Sequence, residues 1–214
     1  MLWISLFNVC LAKNCNQFHQ KSKSFPSYNN KSIFKYSVSN HYKQSDVEKL
    51  YQKMLERNIT DIQITIDADG KYTSFFNDEN IKLIPRNLLN DIIKIHMNLI
   101  NKMKLNNKYR LYKSGLDFRM TSDTYGFAVN TKSQGTKNSG LHDHSTEIIE
   151  TGQKALDYTL ALKGKGSIYK SGKNILEANE GEILIFGQKV LHGSPIRKEP
   201  TLIIIGDILM SNEK

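Results

Sequence analysis

Apolar positions recur at helical spacing in two stretches of the chain, and the spacing then shortens to alternation. Val47, Leu50, Tyr51, Met54 and Leu55 repeat every three or four residues, which predicts a helix over 46–57. The four residues "SDVE", Ser45–Glu48, have the form of a capping box. In that motif the Ser hydroxyl accepts from the third backbone N–H while the Glu carboxylate reaches back. A longer helix is predicted over 86–104 from Leu88, Leu89, Ile92, Ile93, Ile95, His96, Leu99, Ile100 and Met103. Pro85 sits at its start, where a missing N–H costs nothing. Between the helices Ile62, Ile64 and Ile66 alternate, a turn follows at Asp-Ala-Asp-Gly, and the pattern resumes at Tyr72. That is a β-hairpin, with Gly70 supplying the positive φ of the turn.

From Lys108 onward short alternating or apolar runs are separated by Gly, Asn, Asp and Ser. "KYRLYKSG", "FRMTS", "YGFAVNT", "ALDYTLALKG", "GSIYKSG", "KNILEA", "EILIFG" and "TLIIIGDIL" read as strands. Helices first and about eight strands afterwards give an α+β fold, with the helices packed on one face of a closed or rolled antiparallel sheet. Residues 1–44 read as an irregular N-terminal lead-in, polar over 13–44 with spaced aromatics at Phe18, Phe25, Tyr28, Phe34 and Tyr36. Residues 45–107 supply the supporting helices and hairpin, and 108–214 the β-core.

Composition narrows the class. The chain has 214 residues, 39% hydrophobic and 24% charged, which suits one globular domain with a sizeable core. Its formal net charge is +9, unevenly spread. Residues 141–214 hold 9 Lys/Arg against 10 Asp/Glu, so 1–140 hold the other 21 bases and 11 acids, a net of +10. A basic half can face an acidic partner, but there is no arginine cluster and no basic-aromatic interleaving, so nucleic acid is the minor alternative. Cys10 and Cys15 both precede the predicted core, so no disulfide framework holds the fold, and they lack partners at zinc spacing. The apolar run Leu2–Ala12 is too short to span a bilayer and has no basic residues ahead of it. A cytoplasmic protein is expected, with export after cleavage near Ala12 as the alternative.

The chemistry concentrates in "GLHDHSTEIIE", residues 140–150. On a strand His142 and His144 face one side while Asp143 faces the other. Two neutral imidazoles so placed can occupy adjacent positions on a transition metal, provided each second nitrogen is bonded elsewhere. His192, in "FGQKVLHGSP", is 50 residues after His142, room for several short strands to return the chain beside its start. Glu147 is a further candidate ligand. His19, His41 and His96 are expected to be hydrogen-bonded core or surface residues.

The order "HDH", "DYTLALKGKGSIYKSG", "EANEGEILIFGQKVLHGSP" and "TLIIIGDIL" resembles the double-stranded β-helix proteins, meaning the cupins and the iron(II)/2-oxoglutarate oxygenases. The resemblance covers about residues 108–210, and helices ahead of the core are similar to the oxygenase branch. It implies N-terminal helices packed on a jelly-roll, cupin-like core, with His142, His144 and His192 as metal ligands. It further implies Fe(II), or another divalent metal, with 2-oxoglutarate as cosubstrate and hydroxylation of a small-molecule or protein substrate. Such proteins often pair as homodimers.

Two departures matter. The oxygenases carry a carboxylate where this chain has His144, and neither Glu147 nor Glu150 sits squarely on the cupin pattern. The oxygenases also place a cation on the strand after the distal His. Here Arg197 and Lys198 come early and "TLIIIG" has none. The carboxylate-pairing role therefore falls to Arg197 with Lys198 beside it, or to Arg110, Arg119 or Lys163, or 2-oxoglutarate is not used. Tyr158 and Thr159 are candidates for the pocket lining, with simple core packing as the equal alternative. A three-histidine cupin enzyme and a non-enzymatic cupin-like binding module are the alternatives.

Overall fold

A computed structural model of the chain describes residues 33–67, 69–74, 79–104, 109–121, 142–143, 154–170, 174–187, 189–193 and 199–212. Its strands are β1 (Ile33–Ser37), β2 (Asp61–Ile66), β3 (Tyr72–Ser74), β4 (Tyr109–Thr121), β5 (Lys154–Lys163), β6 (Gly166–Lys170), β7 (Asn174–Ala178), β8 (Glu182–Gly187), β9 (His192–Gly193) and β10 (Thr201–Asn212). The helices are α1 (Gln44–Glu56) and α2 (Arg86–Lys104). Seven strands form a sheet in the order β1-β8-β5-β10-β4-β2-β3, and three form a second sheet in the order β7-β6-β9. Every pairing is antiparallel.

The α2 helix has the predicted bounds, and its first turn hangs on Pro85, whose carbonyl accepts from Leu89 N–H at 3.0 Å. The α1 helix starts earlier than the pattern implied, with Lys43 at the N-cap and no side-chain cap. The Ser45–Glu48 capping box is therefore not used. Glu48 instead accepts from Lys163 at 2.6 Å and from Gln52 at 2.8 Å, tying α1 to β5. The hairpin is β2–β3. Asp67 closes its turn by accepting from the N–H groups of Asp69 and Lys71, and Gly70 takes φ 79°.

Two strands differ from the expectation. The segment expected to be an irregular lead-in contains β1, an edge strand on β8. Its Lys35 is buried and pairs with Glu182 at 2.9 Å, so a charge inside a five-residue strand disguised the pattern. The runs "KYRLYKSG" and "FRMTS" form one strand, β4, that passes straight through Gly115. A Cβ at Gly115 would lie 2.8 Å from the Asp207 carboxylate of β10, so glycine is there for a close approach and not for a break. The predicted strand at 125–131 lies outside the described residues.

The large sheet buries a different kind of surface on each face. On one face, α1 packs on β5 and α2 on β4. The core between them joins Leu50, Met54, Leu88, Ile92 and Leu99 from the helices to Ile62, Phe118, Leu160, Ile204 and others from the sheet. Each such side chain contributes about 1.5–3 kcal/mol on burial. On the other face, Ala161, Leu184 and Phe186 meet Ile168 and Ala178 of the second sheet, with Val190 beside them. At one end the sheets touch: a Cβ on Gly166 of β6 would lie 2.7 Å from the Thr159 methyl of β5. Strand alternation does the sorting. Tyr158, Leu160 and Leu162 join the helix-side core, so Asp157, Thr159 and Ala161 face the space between the sheets. Among the described residues no helix is long and apolar enough to cross a membrane.

Candidate metal centre

The chain leaves β8 at Gly187, whose carbonyl accepts from Val190 N–H at 2.9 Å, and returns as the two-residue strand β9. There His192 and His142 exchange both backbone hydrogen bonds, each 2.9 Å long. Residues paired in this way present their side chains on the same side. Their ring centres are 4.5 Å apart, with the planes at 50°. His192 is buried and His142 is exposed.

The tautomer of His192 follows from its neighbour. Nδ1 lies 2.7 Å from the Val190 carbonyl oxygen, which can only accept, so Nδ1 carries the proton. In the neutral ring the lone pair then resides on Nε2, the arrangement that orients metal-binding histidines. The ring spacing also suits a shared ion. Two imidazoles bound to one metal by bonds of about 2.1 Å, about a right angle apart, place their centres about 4.5 Å from each other. The donor chemistry of the pair therefore fits a divalent transition metal. Among the described residues no third His, Cys, Asp or Glu completes a metal-binding group with them.

Of the other expected site residues, His144, Glu147, Arg197 and Lys198 lie outside the described residues. Tyr158 does not line the space between the sheets. Its position in the alternation sends it to the helix side, where its hydroxyl meets Nδ1 of His96 at 2.8 Å and its ring lies over Gly206. Burial pushes the phenol well above its ordinary range. Thr159 does face inward, but at the end where the sheets touch. Arg119 is on the inward-facing side of β4 and donates to Asp117 at 2.5 Å. Burial raises the Asp117 carboxyl while Arg119 opposes the shift. Lys163 is occupied by Glu48 and by the face of Tyr51, 5.0 Å away.

Two neighbours of His192 and one buried carboxylate were not anticipated from the sequence. The Val190 carbonyl fixes the His192 tautomer, and the Phe186 ring centre lies 4.4 Å from that of His192. Asp157, a buried carboxylate, stands directly opposite Phe186 on β5. Alternation along "LDYTLALK" carries the signal for Asp157, since small or polar residues there alternate with large apolar ones.

No family model and no curated protein sequence matches the chain. Solved structures do. A prolyl 4-hydroxylase from Phytophthora capsici superposes with a TM-score of 0.52 at 8% identity, covering 86% of this chain and 60% of that one. The fold is a double-stranded β-helix. A Pseudomonas putida prolyl-4-hydroxylase also matches, with a TM-score of 0.48 at 9% identity, over 86% of this chain and 94% of that one. In this double-stranded β-helix β4, β10, β5 and β8 are the central run of the large sheet. His142 adds to the second sheet beside β9, which puts the histidine pair at the end away from the Thr159–Gly166 contact. The chain spans about 60% of the length of the Phytophthora protein.

Proposed function

We propose that the chain is a non-heme iron(II) oxygenase that uses 2-oxoglutarate, with His142, His144 and His192 as metal ligands. The observation that carries this reading is the His142–His192 pair, joined by two backbone hydrogen bonds with ring centres 4.5 Å apart. Support comes from the fold, which is that of a prolyl 4-hydroxylase.

Bound iron(II) would supply redox chemistry with O2 and a 2-oxo acid to oxidise an unreactive C–H bond. The protein's own part is more specific. Val190 holds the proton of His192 on Nδ1, which keeps a neutral donor on Nε2. Phe186, Leu184 and Ala161 make the inner wall apolar and exclude water on that side. Arg197 is the first choice to pair the distal carboxylate of the oxo acid, with Lys198 beside it. Arg119 is the second, and engaging it would mean sharing the guanidinium with Asp117.

A three-histidine metal enzyme without 2-oxoglutarate is the competing reading. It is favoured by the first half of β10, where Thr201–Gly206 holds no cation. The deciding experiment is thermal melting with Fe(II) under anaerobic conditions, with and without 2-oxoglutarate. At a ligand concentration of about 100 times Kd the stabilisation is about 2.7 kcal/mol. Stabilisation by Fe(II), a further rise with 2-oxoglutarate and its consumption in air are expected. Stabilisation by metal alone selects the competitor, and indifference to Fe(II), Mn(II) and Co(II) rejects both and leaves a binding module.

A further inference from the structure

His192 is held at more than its nitrogen. The backbone pair with His142 fixes its Cα, and the Nδ1 contact with Val190 fixes one corner of the ring. The hydrogen bond orients the ring from that corner, and Phe186 braces the orientation from the side: its ring lies 4.4 Å from that of His192, inclined at 57°, in ring-packing contact. Phe186 is itself enclosed. It is buried on β8, stands opposite Asp157 of β5 on one side and Ile33 of β1 on the other, and Ile33 packs against the same apolar cluster.

We propose that Phe186 is a positioning residue for the metal centre, holding the plane of the His192 ring, and that the edge strand β1 backs it through Ile33. This rests on the metal-binding reading above. It gives β1 a purpose at the site beyond closing the edge of the sheet. A merely structural Phe186 would behave like Leu184, which lies two residues earlier on the same strand and face, in the same cluster and equally buried at 3%.

The test is Co(II) titration of the full chain and of Phe186→Ala, Phe186→Leu, Leu184→Ala and Ile33→Ala, read by the visible absorption of bound Co(II), with melting temperature measured in parallel. Loss of an outer-shell orienting group typically weakens metal binding by about 10- to 100-fold. Phe186→Ala is expected to weaken Co(II) binding by about 10-fold and to change the band shape, Phe186→Leu to lie between it and the wild type, and Ile33→Ala to move the same way by less. Leu184→Ala is expected to melt as early as Phe186→Ala yet bind Co(II) within about twofold of the wild type. Wild-type affinity and band shape in Phe186→Ala overturn the proposal, as does equal weakening by Leu184→Ala. If Phe186→Ala does not fold, an unchanged affinity and spectrum in Phe186→Leu overturn it instead. A wild-type protein that takes up no Co(II) overturns the metal reading itself, an outcome distinct from the others.

Discussion

Two histidines lie on opposite sides of the same sheet, and they have been treated in opposite ways. His96 of α2 is fully buried on the helix side among leucines and isoleucines, with Tyr158 as hydrogen-bond partner through Nδ1. Burial drives its pKa down to about 3, so it stays neutral at any ordinary pH. His192 is also buried, but on the side facing the second sheet, beside another imidazole and with a backbone carbonyl fixing its tautomer. Burial alone therefore does not mark a functional histidine. His192 differs by a carbonyl that orients one nitrogen and by a second imidazole at its side, the two features on which the metal-ligand proposal rests. The strand between them repeats the division: Tyr158 serves the core on one face of β5, and Asp157 and Thr159 face the interior on the other.

If the helix side is purely structural, perturbing it should change stability and leave metal binding alone. The largest effect is expected from acid. The unfolded chain protonates His96 near pH 6.5, while the folded chain resists until about pH 3. Its contribution is thus fully present above pH 6.5 and is lost as pH falls from there to about 3, at up to about 1.4 kcal/mol per pH unit and about 5 kcal/mol in all. Urea melts from pH 7 to pH 4 measure it, and His96→Gln should flatten the slope.

Next comes Gly206→Ala, whose new methyl would fall within the ring of Tyr158. Overpacking of this kind should cost about 3 kcal/mol, and Tyr158→Leu in the same chain should restore part of it, a coupling a double-mutant cycle reads directly. Tyr158→Phe should cost less, about 1–2 kcal/mol, because it leaves the buried His96 Nδ1 without its partner. Equilibrium unfolding gives that number, and Co(II) affinity should not move. The smallest change is expected from Lys163→Met, which removes the contacts to Glu48 and Tyr51. At this half-exposed pair about 0.5–1 kcal/mol is at stake, and the ion-pair share should fade in 0.5 M salt.

Periodicity made much of the fold legible. Strong repeats with local start signals, as in α2 and the β2–β3 hairpin, depend on neighbours in sequence and came through with their bounds. What failed depends on distant partners. β1 is hidden by Lys35, whose burial makes sense only once Glu182, 147 residues away, is beside it. β4 looks broken at Gly115 until Asp207 fills the gap. At the candidate centre, the pairing of His142 with His192 followed from spacing and resemblance. The Phe186 ring and the Val190 carbonyl did not, because apolar residues and backbone carry no chemical label in a sequence. The choice between pocket and core for Tyr158 stayed open in the sequence because face selection on β5 hinges on which neighbour each side chain meets.

The contrast between the two sides of the sheet is tested most directly by titrating Fe(II) anaerobically into the wild type, His192→Ala and His96→Gln, with binding followed by calorimetry. The wild type and His96→Gln should bind one ion with similar affinity, while His192→Ala should lose it by at least about 100-fold with its fold intact. Equal binding by His192→Ala, or loss of binding in His96→Gln alone, would contradict the proposal that His192 holds the metal.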